Sequence, residues 1–144
     1  MRNGWLIAGG ALSAGAAVLH LAVIAGGPAW YRFFGAGEGM ARAAERGSPR
    51  PAVITLGIAT VLAIWAAYAF SGAGLLPRLP LLRAGLLVIT AIYLARGSIL
   101  FPMLLMRPRR VDAFLVWSSL IVLVYGGLYA IGTWRAWEDL SPRH

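Results

Sequence analysis

Residues 82–104 read LRAGLLVITAIYLARGSILFPML. Past Arg83 the stretch is apolar but for Thr90, Tyr93, Ser98 and one arginine, Arg96, set well inside it. A bilayer core about 30 Å thick takes roughly 20 apolar residues in a helix. The stretch therefore has the length and composition of a membrane span, with a guanidinium inside hydrocarbon. Two questions follow: whether the rest of the chain is built the same way, and what Arg96 meets.

Three further runs match: 4–27, 52–71 and 112–134. Hydrophobic residues make up 60% of the 144 and charged residues only 12%, against about 25% charged in soluble domains. Mean hydropathy is +0.74. The expectation is an all-α polytopic membrane protein, one domain over 1–144, with four transmembrane helices in an antiparallel bundle. Arg2 precedes the first run as in a signal peptide, but that run is long and three spans follow, so it reads as a retained helix. Trp5, Trp30, Tyr31, Trp134 and Trp137 fall near span ends, where amphipathic rings favour the interface.

The net charge is +8, carried by thirteen arginines and no lysine. Most of them flank the apolar runs, which suits anionic headgroups and argues against a nucleic-acid partner. The first and third loops hold seven arginines and the other side five. That excess places loops 1 and 3 in the cytoplasm, in what reads as a bacterial-type inner membrane.

The chemical vocabulary is small. Without cysteine there is no disulfide, thiolate nucleophile or cysteine-ligated metal, and without lysine no Schiff base. The acids are Glu38, Glu45, Asp112, Glu138 and Asp139; the histidines are His20 and His144. No metal cluster, phosphate loop or nucleophile elbow is legible, and neither metal nor cofactor is expected.

Loop 1, residues 28–51, is the one long connection. Glu38, Arg42, Glu45 and Arg46 fall at helical spacing, which predicts a short surface helix anchored by Trp30, Tyr31, Phe33 and Phe34. Counting about 1.5 Å per helical residue, His20 before Gly27 and Arg96 before Pro102 lie at roughly one depth, near 10 Å under the loop-1 surface. Thr55, Thr60, Trp117, Ser118 and Ser119 share that half of the membrane.

Ionisable groups inside a membrane usually face an interior and mark a site. The expected site is Arg96 with His20, Tyr93, Trp117 and Trp30, closed by a lid loop that brings Glu38 or Glu45 to the arginine. A small anionic or amphipathic, lipid-like molecule is the expected ligand, and membrane lipids the expected surroundings. An alternative is an embedded enzyme using His20 with Glu38 or Glu45 as acid and base. Another is an accessory or structural subunit, in which Arg96 snorkels and His20 only ties helices together. Gly9, Ser13 and Ala17, with Gly126 and Ala130, have small-xxx-small spacing, which suits either packing within the bundle or a homodimer.

Overall fold

The computed structural model describes residues 3–141, and among them there is no strand. Four helices are long and apolar enough to cross a membrane, which marks a multi-pass membrane protein: Gly4–Gly26, Arg50–Gly72, Leu82–Met106 and Ala113–Arg135. In chain order the elements are α1 (Gly4–Gly26), α2 (Pro28–Phe33), α3 (Glu38–Glu45), α4 (Arg50–Gly72), α5 (Leu82–Ser98), α6 (Leu100–Met106) and α7 (Ala113–Arg135). A 3-10 turn, Pro108–Arg110, joins α6 to α7.

The boundaries have local causes. Pro51 lies in the first turn of α4, where a missing N–H is tolerated, so the helix starts at Arg50 rather than 52. Pro102 does not end the third span. It removes the bond that would close on the Ser98 carbonyl, four residues back, and the helix breaks between Ser98 and Leu100 before running on to Met106. Asp112 stands outside α7 as its N-cap, its carboxylate accepting from the Leu115 N–H at 2.7 Å. Loop 1 holds two short helices, not one. They are parted by Gly37, whose φ of 99° is a region open mainly to glycine.

The chain forms two compact units: Ala14–Ile64, and the described residues up to Ser13 together with those from Trp65 onward. In the first, Tyr31, Val23 and Ala41 make a small core flanked by Phe34, Met40 and Ala44. Tyr31 is therefore a core residue, only 3% exposed, while Phe33 is 79% exposed and the better candidate for a membrane anchor. Thr55 donates to the Pro51 carbonyl at 2.7 Å, and its oxygen lies 3.4 Å from the Tyr31 hydroxyl.

In the second unit α5 packs along α7. Leu94 lies on Gly126, and Gly97 lies on Ser119 and Leu123. Numbers rise on one helix as they fall on the other, so the two run in opposite directions. Leu6 at the start of α1 packs on Gly132 and Gly72, and Leu140 of the C-terminal segment approaches Gly72 as well. The start of α1, the end of α4 and the end of α7 therefore meet at one end of this unit, where Asn3 donates to the Gly132 carbonyl at 2.7 Å.

Candidate functional site

Because the third span continues to Met106, Arg96 is ten residues from that end and fourteen from Leu82. Those counts put it about 15 Å from one helix end and about 21 Å from the other. It lies deeper than a count to Pro102 implies, and its stem has further to reach. An arginine at the centre of a span costs about 3 kcal/mol on insertion scales.

Two hydroxyls meet it. Nη1 donates to Ser119 Oγ at 3.2 Å, and Nη2 to Ser118 Oγ at 3.4 Å, the long edge of hydrogen-bonding distance. The close fit of Gly97 on α7 brings Ser119 within reach, since a Cβ at position 97 would lie 2.9 Å from the Ser119 carbonyl oxygen. Arg96 is exposed, Ser119 is buried, and Trp117 is exposed. Among the described residues of its unit no carboxylate pairs with Arg96; Asp112 caps α7 instead. A guanidinium carries five donors, and here only neutral acceptors are bonded to it.

Tyr93 is not part of this group. It is three residues before Arg96, but its hydroxyl bonds Ser13 Oγ at 2.7 Å. Ser13 Oγ also lies 2.8 Å from the Tyr129 hydroxyl, which donates to the Trp65 carbonyl at 3.1 Å. The carbonyl can only accept, so the proton order is fixed: Tyr93 donates to Ser13, Ser13 to Tyr129, and Tyr129 to Trp65. Tyr93 also stands edge-on to Trp65 and Tyr125, at ring separations of 4.9 and 5.6 Å. Sequence reasoning did not join Ser13 or Tyr129 to Tyr93. The available signal was the small-residue face, because Gly9 and Ser13 are where α1 receives Tyr129.

His20, Glu38 and Glu45 lie together in the other unit but do not form a dyad. His20 Nδ1 is 2.7 Å from the Ala16 carbonyl, which requires the proton on Nδ1. Among the described residues it has no carboxylate partner. Both glutamates bond Arg32, Glu38 at 2.8 Å and Glu45 at 2.7 Å, and Arg42 reaches Glu38 at 3.4 Å in the expected i,i+4 pairing. The Arg32 guanidinium holds the Glu38 carboxyl below its usual range and is itself pushed up by the two acids. Trp30 is exposed, tilted against Phe34 at 6.0 Å, and covers the bare face of Gly26. Among the described residues no group of acids and histidines could hold a metal ion.

No family model, curated protein or solved structure matches this chain. Its function has to be read from its own residues.

Proposed function

We propose that this membrane protein binds or carries a small anionic, amphipathic molecule from within the bilayer, with Arg96 holding the acidic head. One observation carries the reading: a guanidinium about 15 Å from its helix end, exposed, and bonded only to the neutral hydroxyls of Ser118 and Ser119. Such a cation has donors to spare and, among the described residues of its unit, no counter-charge. A carboxylate or phosphate on an apolar tail supplies both the charge and a body soluble in the surrounding hydrocarbon. Trp117, one residue before Ser118, offers an apolar surface for that tail.

We extend the proposal to the architecture. The four spans form an antiparallel bundle, and α2–α3 serves as a lid over the end toward which α6 runs. The closed network of Arg32, Glu38 and Glu45 supports a lid that moves as one piece. The arginine excess puts that end in the cytoplasm of a bacterial-type cell. Acid–base catalysis by His20 with Glu38 or Glu45 has less support, because both acids are bonded to Arg32 and, among the described residues, neither is bonded to the histidine.

The test is equilibrium binding of a spin-labelled fatty acid to the purified protein. Arg96→Gln should weaken binding at least tenfold, about 1.4 kcal/mol, and leave the thermal unfolding midpoint in detergent within a few degrees. The Ser118→Ala/Ser119→Ala double variant should fall between. Equal binding by wild type and Arg96→Gln would overturn the reading.

A further inference from the structure

At the end of the second unit opposite α6 lies an open cavity of about 910 Å³, lined on its polar side by Asn3, Ser71, Arg78, Arg135 and Asp139. Its floor is set by helix termini, with Gly4, Gly72, Leu82 and Ala136 all contributing. That places it where spans end and headgroups begin. Trp5 lines it, and Trp134 and Trp137 sit on the same stretch of chain, as expected for an interfacial belt. Ala8 and Leu128 also line it, each more than one turn inside its own helix, so the cavity has an apolar flank leading inward.

Its charged groups are arranged unequally. Arg78 is fixed, donating through Nη1 to the Asp139 carbonyl at 3.2 Å and through Nη2 to the Leu140 carbonyl. That clasp holds the C-terminal segment against the loop between α4 and α5. Ser71 braces the loop from inside, donating to the Pro77 carbonyl at 2.9 Å and accepting from the Leu79 N–H at 3.0 Å. Arg135 rests only on the face of Trp5, 5.7 Å from the ring centre, and has no acceptor among the described residues. The Asp139 carboxylate has no cation within ion-pair distance among the described residues. The nearby Arg83 is turned away onto Trp137, 3.4 Å from its ring centre.

From this geometry we infer a binding site for the headgroup of an amine-bearing phospholipid of the phosphoethanolamine type. The phosphate takes Arg135 and the remaining donors of Arg78, the ammonium takes Asp139, and an acyl chain follows the Ala8–Leu128 flank. Two cations and one carboxylate that has no cation partner among the described residues match a zwitterion better than a simple anion, which would meet Asp139 with like charge. The site shares no residue with the Arg96 group, so each stands or falls alone.

Native mass spectrometry of the intact protein in detergent, titrated with phosphatidylethanolamine or phosphatidylglycerol, tests it. Wild type should bind the ethanolamine lipid at least tenfold more tightly than the glycerol lipid. Asp139→Asn should erase that preference, and Arg135→Gln should weaken both lipids at least tenfold. Equal affinity for both lipids in wild type, or an Asp139→Asn variant that keeps the preference, overturns the inference. Soluble O-phosphoethanolamine separates the two sources of this headgroup. Weak competition supports a lipid ligand, and competition as strong as the lipid's own overturns the lipid assignment. Thermal midpoints of the variants, matched to wild type, exclude loss of fold as the cause of lost binding.

Discussion

Gly97 connects packing to the candidate site. A Cβ there would sit 2.5 Å from Leu123 Cγ and 2.9 Å from the Ser119 carbonyl, and a backbone atom cannot step aside as a side-chain tip can. Gly97→Ala should therefore push α5 from α7, costing about 1–3 kcal/mol, and should also draw Ser119 away from Arg96. Gly127→Ala is the contrast, since nothing lies within 4 Å of its added Cβ. It should be neutral or stabilising by up to about 1 kcal/mol through helix propensity. Unfolding titrations in mixed micelles would separate the two. At this scale the charge was legible in the sequence and its partners were not. Arg96 stands out in any hydropathy reading, but finding Ser118 and Ser119 requires the register of α5 against α7, which Gly97 and Gly126 set by bare contact. Tyr93 shows the same limit: its spacing from Arg96 suggests a shared face, yet a long side chain ends at Ser13.

Among the elements, the α2–α3 segment depends most on charge. Glu38 bonds Arg32 and Arg42, and its carboxyl is held below the ordinary value, near pH 4. A carboxylate with a lowered folded pKa contributes its stability in full above that ordinary value and loses it as pH falls through the lowered one. Protection of the α3 backbone amides, measured against their intrinsic exchange rate at each pH, should therefore fall below about pH 4, while that of α5 and α7 is kept. Glu38→Gln should lower α3 protection at neutral pH as well. The four spans could be read from apolar run lengths, because hydropathy alone sets them. Their ends could not, because they depend on single groups: Pro102 breaks a helix without stopping it, Asp112 caps α7, and Gly37 divides loop 1 in two. The expected surface helix was half of what is there, and Tyr31, expected at the lipid surface, fills the core beneath it.

For the whole molecule, the second unit gathers the start of α1, the loop between α4 and α5, and the segment after α7 at one end, through the bonds of Asn3 to Gly132 and of Arg78 to Asp139. With four spans, both chain ends and that loop should lie on one side of the membrane. The chain contains no cysteine, so single cysteines report this cleanly. Leu76→Cys and Ser141→Cys should react with an impermeant maleimide from the same side, and Gly39→Cys in α3 from the other. A split between positions 76 and 141 would refute the four-span topology. The small-residue faces that suggested a dimer receive side chains within the unit, Gly9 taking Tyr129 and Gly126 taking Leu94. The central claim is that Arg96 meets an acidic amphiphile in the bilayer. Solid-state NMR of the protein in lipid, with nitrogen-15 in its arginine side chains and a fatty acid carrying carbon-13 at its carboxylate, measures that contact directly. Guanidinium-to-carboxylate dephasing is expected in wild type and should disappear in Arg96→Gln. Dephasing of equal strength in the two proteins, or none in wild type at saturating fatty acid, would contradict it.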